Sequence, residues 1–289
     1  VTDNAPKPTL KRRVFRTLAL LAVIYAVFVV AVMIFQRSLI YFPTKLNPKI
    51  AEQMAAKEGF LPWRNKAGEI IGWNLPAAAS STGSVLVVHG NAGCALDRDY
   101  FATPIHAVAA VDVFILEYPG YGARDGSPSL PSLLAAAEEG FNIISNRGPI
   151  FLVSESIGAG VASHLAREHG QQIRGMILFA PYNRFAAVAQ KKMPILPVTL
   201  LLRDRYDPAG WLKNYRGPVM FVVAGADRTI PPQFGRALYD GYAGPKQLEI
   251  IANADHNDIE EQPAGWWRGV FSFWRQNGQA DPGSKGTGR

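Results

Sequence analysis

Residues 149–166 read PIFLVSESIGAGVASHLA. An apolar run over 150–154 is followed by a turn of small residues and then by a stretch, 157–168, spaced as a helix, which together make a strand, a tight turn and a helix. Ser156 occupies the turn, inside Ser154-Glu155-Ser156-Ile157-Gly158, a variant of the Gly-x-Ser-x-Gly pattern. The small residues have a chemical reason. A serine hydroxyl is a weak nucleophile unless it is exposed, set against a base and placed near hydrogen-bond donors. A sharp strand-to-helix turn lifts it above the sheet, and small neighbours two positions away on either side let the backbone pass closely. Ser154 stands where the pattern has its first glycine, a departure that keeps the side chain small. The following helix turns its positive N-terminal end toward an oxyanion developing at the site. Such short strings also arise by chance. Gly158-Ala159-Gly160 could alternatively open a dinucleotide site, but Ser163 stands in place of the third glycine, and the next strand, MILFA, ends at Ala180-Pro181 without an acid for a ribose.

Upstream, the strand SVLVV runs into His89-Gly90-Asn91-Ala92-Gly93. Glycines at that point free the backbone so that a main-chain N–H, that of Asn91, can point into a site, with the N–H of Ile157 as second donor. An ordinary glycine-rich turn would look the same in isolation; the Ser156 turn further along favours an oxyanion loop. Downstream, the strand PVMFVV ends in Gly225-Ala226-Asp227, and QLEII ends in Ala252-Asn253-Ala254-Asp255-His256-Asn257-Asp258. Positions just past the C-terminal ends of strands are where open α/β sheets build their sites. Of the five histidines, His256 alone follows the candidate acid. Asp255 and Asp258 flank the base, but adjacent residues rarely point together well enough to hold an imidazole, so Asp227 is the expected acid, fixing the tautomer of His256 and stabilising the imidazolium. His164 falls on an expected helix and, with His106 and His169, reads as a surface or structural residue, and His89 belongs to the loop framework.

The remaining pattern alternates. Strands are expected over 69–74, 84–89, 111–117, 150–154, 175–179, 218–223 and 248–251, and helices over 130–145, 157–168, 232–242 and 264–276, with a short helical stretch near 51–57. Short apolar strands alternating with helices predict an α/β fold, a mostly parallel central sheet covered by helices on both faces. Over 183–215 the rhythm breaks around Pro194, Pro197 and Pro208, which reads as a lid insertion. Residues 277–289 are polar and glycine-rich and read as a disordered tail.

Residues 18–35 carry no charge. At 1.5 Å rise per residue the run spans about 27 Å, close to the thickness of a bilayer's hydrocarbon. Arg16 and Arg37 mark its limits, so 17–36 is expected to be an uncleaved transmembrane anchor behind a basic tail, 1–16. A cleaved signal would have a shorter apolar core and a small-x-small site, which Gln36-Arg37-Ser38 does not supply; a core helix would carry a polar stripe. The basic cluster Lys7, Lys11, Arg12, Arg13 and Arg16 puts the N-terminus in the cytoplasm and the domain at 37–276 across the membrane. The chain of 289 residues is 48% hydrophobic with a net charge of +7, and because part of that charge sits in this one cluster, nucleic acid is not an expected partner. The single cysteine, Cys94, excludes an intrachain disulfide and a cysteine-rich metal site. Zinc-protease and P-loop motifs are absent, and no metal or organic cofactor is expected.

Together HGNAG, Tyr118-Pro119-Gly120-Tyr121-Gly122, the Ser156 turn, GADRTIPP and ADHND resemble the α/β-hydrolase superfamily. More narrowly, Leu39-Ile40-Tyr41-Phe42-Pro43 after an apolar span, and Leu196-Pro197 leading to Leu202-Arg203-Asp204-Arg205-Tyr206-Asp207, resemble the membrane-anchored abhydrolase-domain proteins of the bud-emergence type, grouped near serine aminopeptidase-like hydrolases. The similarity covers residues 36–276. It implies Ser156, Asp227 and His256 as a triad, with donors at Asn91 and Ile157, acting on an ester or thioester of a small molecule or lipid. A dehalogenase or epoxide hydrolase on this fold would carry Asp as nucleophile. A peptidase on the same triad, or a non-catalytic anchored binding protein, are the alternative expectations.

Overall fold

The computed structural model describes residues 9–278. The expected tail residues 279–289, and residues 1–8 of the expected basic tail, lie outside the described residues. The chain opens with α1 (Leu10–Ile40), β1 (Phe42–Pro43), α2 (Pro48–Lys57), β2 (Leu61–Arg64), β3 (Ile70–Leu75), β4 (Ser84–Val88), β5 (Ala92–Gly93), α3 (Asp99–His106) and β6 (Asp112–Leu116). It continues with α4 (Leu130–Ile144), β7 (Ile150–Glu155), α5 (Gly158–His169), β8 (Ile173–Phe179), α6 (Phe185–Lys192), α7 (Val198–Leu201), α8 (Pro208–Trp211), β9 (Val219–Ala224), α9 (Pro232–Gly241), β10 (Lys246–Ile251) and α10 (Ala264–Asn277).

Helix boundaries follow local chemistry. Ser129 caps α4, its hydroxyl accepting the Ser132 N–H at 3.2 Å, and Asn47 caps α2 through the Lys49 N–H at 3.0 Å. In both cases proline follows in the first turn, where its missing N–H costs nothing.

Eight strands form one sheet in the order β10-β9-β8-β7-β4-β6-β3-β2. β2–β3 and β3–β6 are antiparallel; the other pairings in the sheet are parallel. β4 and β9 are buried at every position, as expected of parallel strands covered on both faces. One apolar cluster packs Leu86, Leu152, Leu178 and Phe221 against α4 and α5; the other packs Val87, Val153, Ile177 and Val222 against α3 and α10. The expected mostly parallel sheet is therefore present. β2 was not anticipated from the pattern: it is an edge strand that buries Trp63 between exposed neighbours, so it lacks the apolar run that marks an inner strand.

α1 is longer than the expected anchor and continues through the basic residues from Lys11 to Arg16. Among the described residues it is the one helix long and apolar enough to cross a membrane, with a mean hydropathy of 3.0 over its best 18-residue stretch. The rhythm-breaking segment between β8 and β9 folds as α6, α7 and α8. Its buried residues Val188, Leu196 and Val198 face the cavity described next.

Candidate active site

Ser156 follows β7 directly and adopts φ 51°, a left-handed conformation that a non-glycine residue holds only when its surroundings impose it. Its N–H is fixed by the carbonyl of Phe179 at 2.9 Å. Gly158 explains the small residue after the turn: a Cβ there would run into the carbonyl oxygens of Val88, the last residue of β4, and of His89 just after it. On the other side Ser154 is buried, and its hydroxyl donates to the Ile177 carbonyl at 3.3 Å. The serine in the glycine position is thus accommodated with its polar atom satisfied.

The three sequence-expected side chains meet. His256 Nε2 lies 3.0 Å from Ser156 Oγ, and His256 Nδ1 lies 2.7 Å from Asp227 Oδ2. All three residues are at least nine-tenths buried. A neutral imidazole protonated at Nδ1 donates to the carboxylate and leaves Nε2 to accept the serine proton. The other oxygen of Asp227 accepts the N–H groups of Thr229 and Ile230, each at 2.7 Å, which fixes the carboxylate in the turn after β9. The rival acids have other tasks. Asp255 accepts the backbone N–H and guanidinium of Arg228 and the N–H of His256 itself; these donors, the backbone N–H groups first, pull its carboxyl down to about 2. Asp258 accepts the N–H of Asp255.

The loop after β4 is tightly held. Gly90 N–H donates to Glu155 at 2.7 Å. The carbonyl of Asn91 accepts from Phe42 N–H and from the Tyr121 hydroxyl, both at 2.8 Å, while its side-chain amide donates to Ile40 at 2.8 Å. Among the described residues the N–H groups of Asn91 and Ile157 donate to no protein acceptor. Both residues line the same cavity as Ser156. His89 is fully buried, its Nδ1 2.8 Å from the Gly90 carbonyl and its ring packed on Tyr118 and Tyr121, so it serves the framework.

Two features were not legible in the sequence. Glu155, between the two serines, is a buried anion accepting from Arg98 Nε at 2.9 Å and the Tyr100 hydroxyl at 2.6 Å. Burial alone would raise its carboxyl, but Arg98, Tyr100 and the Gly90 N–H outweigh that and hold it below the ordinary range. The other is the part that α1 plays in the cavity over Ser156, of about 310 Å³. Its walls come from α6 and α7 (Val188, Val198, Leu201), from Leu196 and Leu202 on either side of α7 and, unexpectedly, from the last turns of α1 (Val32, Met33, Leu39). The surface is overwhelmingly apolar, with Lys192 the one charged residue on it among the described residues. Among the described residues no cluster of His, Cys, Asp or Glu is arranged to hold a metal ion.

The family described as serine aminopeptidase, S33, matches residues 79–208. The uncharacterized protein Rv2307c of Mycobacterium tuberculosis is 30% identical over 260 residues, covering 87% of this chain and 92% of its own. Protein bem46 of Schizosaccharomyces pombe is 26% identical and covers 70% of each chain. Lysophosphatidylserine lipase ABHD12 of Macaca fascicularis is 27% identical, covering 61% of this chain and 50% of its own. Among solved structures, the Pyrococcus furiosus esterase Pf2001 superposes with a TM-score of 0.61 at 14% identity, covering 82% of this chain and 98% of its own. With the sheet, the turn at Ser156 and these relatives in agreement, the chain belongs to the α/β-hydrolase superfamily, among the abhydrolase-domain proteins related to bem46 and ABHD12.

Proposed function

We propose that the protein is a serine hydrolase that cleaves carboxylic ester or thioester bonds of lipid-like acyl substrates. The observation that carries the reading is the continuous Asp227–His256–Ser156 relay at the floor of an apolar cavity. His256 takes the Ser156 proton as the serine oxygen attacks the acyl carbonyl. The N–H groups of Asn91 and Ile157 receive the negative charge on the carbonyl oxygen. The imidazolium returns the proton to the leaving alcohol or thiol, and water repeats the sequence on the acyl-enzyme to release the acid. Asp227 stays ionised and holds the ring.

The cavity supports an acyl chain over a peptide. An aminopeptidase must bind a free α-ammonium group, whereas among the described residues no carboxylate lines this cavity and Lys192 would repel it. The relatives named as a lipase and an esterase point the same way. α1 supports membrane anchorage, with the basic residues before the apolar run on the cytoplasmic side.

A fluorophosphonate probe tests the assignment. Labelling is expected in the native chain and absent in Ser156→Ala. Labelling that survives the substitution removes Ser156 from its role, and a native chain that never labels favours a binding protein. Turnover of p-nitrophenyl esters beside aminoacyl anilides separates esterase from peptidase.

A further inference from the structure

The helix expected to serve as an anchor does not stand clear of the domain. Tyr25, in the middle of the charge-free run, donates its hydroxyl to the carbonyl of Ile195 at 2.8 Å. Further along, Gln36 donates to the Leu201 carbonyl at 3.3 Å and accepts the Arg203 N–H at 2.8 Å. Arg37 pairs with buried Asp204 at 3.2 Å. The C-terminal part of α1 from Tyr25 onward is therefore docked on the segment between β8 and β9.

This docking conflicts with a domain held above the bilayer. If the docked part of α1 lay in water, only residues 17–24 would remain as free apolar helix, about 12 Å against the ~30 Å of hydrocarbon to be crossed. For the whole run 18–35 to span, Tyr25 must lie about 18 Å below Arg37 along the helix axis. Ile195, bonded to Tyr25, must then lie within the lipid too.

The segment is built for that place. Ile195 and Leu200 are 69% and 77% exposed, yet carry no polar group. Most of the backbone there is satisfied from within, the N–H groups of Ile195 and Thr199 excepted among the described residues. The Gln190 amide donates to the carbonyls of Met193, Pro194 and Leu196 and accepts the Val198 N–H. Leu200, Leu201 and Leu202 donate their N–H groups to Pro197 and Val198. Arg205 donates to the carbonyls of Leu200 and Leu202. Pro194 and Pro197 have no N–H to satisfy. Water would satisfy an exposed loop without any of these side chains; hydrocarbon would not. Arg37, Arg203 and Arg205 sit where the apolar surface ends, at the level of lipid headgroups.

We infer that residues 193–202 lie inside the leaflet adjoining the domain, and that acyl substrates reach Ser156 from that leaflet between α1 and the loop. The substrate route rests on the esterase reading; the depth of the loop does not. The partner is the lipid leaflet itself, whose chains are continuous with the cavity walls contributed by Val32, Met33, Leu196 and Leu201.

The test uses the full chain in vesicles of phosphatidylcholine with phosphatidylglycerol. A nitroxide is attached to Leu200→Cys or, as reference, to Arg236→Cys on the exposed face of α9; native Cys94 is 1% exposed and does not compete. The Leu200 label is expected to collide preferentially with oxygen and the Arg236 label with a water-soluble nickel chelate. A Leu200 label as accessible to nickel as the reference overturns the proposal. So does one shielded from both reagents, which would indicate a protein partner or a second copy on this face. The paired change Ile195→Glu with Leu200→Glu, at residues that do not line the cavity, should slow hydrolysis of monooleoylglycerol in the vesicles at least tenfold and leave turnover of p-nitrophenyl acetate unchanged. Equal rates on monooleoylglycerol overturn the route. Depth is read without turnover, so failure of the esterase reading would show separately, as an unmodified chain inert to p-nitrophenyl acetate.

Discussion

Replacing Glu155 by glutamine keeps the shape of the turn and removes its charge. The carboxylate and the Arg98 guanidinium are 6% and 10% exposed as side chains, in direct contact at 2.5 Å. With glutamine in place, Arg98 stays buried without its main counter-charge, and breaking such a pair from one side costs about 3–5 kcal/mol. Urea unfolding should show that loss at pH 7. Arg98→Met should cost a similar amount, because it strands the carboxylate. The double variant should lose less than the sum, with a coupling of about 2 kcal/mol, since neither charge is then left alone. The sign with pH follows from the depressed carboxyl. Its contribution is complete above the ordinary carboxylate range and is lost as pH falls through the lowered value in the folded state. Activity reports the second role. Glu155 holds the Gly90 N–H beside the proposed donor of Asn91, so kcat on a short ester should fall by about 10- to 100-fold, with KM little changed. A Glu155→Gln chain that unfolds within 1 kcal/mol of the native chain, or whose loss adds fully with that of Arg98→Met, refutes the reasoning.

Asp227→Asn should lower kcat by about 10³–10⁴-fold, because an amide facing Nδ1 favours the tautomer that cannot accept the serine proton; a fall of less than tenfold on p-nitrophenyl butyrate would transfer the orienting role to another group. Glu260 is a buried carboxylate raised to about 7 by its burial first and by the nearby Glu155 second. A raised folded-state value means that the contribution to stability is present below about pH 4.5 and is lost as pH climbs through 7, a shift equivalent to about 3 kcal/mol. Glu260→Gln should therefore flatten the decline in stability between pH 5 and 8 and exceed the native chain at pH 8 by up to that amount, measured by urea unfolding; identical pH profiles would remove Glu260 as the cause.

The sheet and the three meeting side chains were legible because each is announced locally. β4, β7 and β9 are short runs buried on both faces, and each ends in small or polar residues that form the site. Gly158 is required by the approach of β4, so even one residue of the motif carries a steric reason. Asp227 could be preferred to Asp255 from sequence because flanking residues diverge, and Asp255 does turn away to Arg228. What could not be read depends on partners distant in the chain. Arg98 meets Glu155 from the segment after β5, with no spacing rule to link them. β2 buries one side chain only. The contribution of α1 to the cavity was hidden for a different reason: the apolar run is a sufficient signal for a lipid-facing helix, and nothing in its periodicity separates lipid from an apolar protein wall.

That ambiguity is itself informative. A helix that only tethers a domain needs apolar residues all round, and one that only packs on a domain needs a polar outer face. α1 has no polar face in residues 18–35, yet Val29, Ala31, Val32 and Met33 are partly covered by protein. The polar atoms that break the pattern are the Tyr25 hydroxyl and, at its end, the Gln36 amide, and each of these is bonded to a backbone group between β8 and β9. A free tether would leave the Tyr25 hydroxyl unsatisfied in hydrocarbon, at a cost of several kcal/mol. Its pairing with Ile195 offsets that cost and leaves the Ile195 carbonyl satisfied as well. Uniform hydrophobicity with isolated, mutually satisfied polar contacts is the composition expected when one face of the helix meets lipid and the other closes a lipid-accepting cavity.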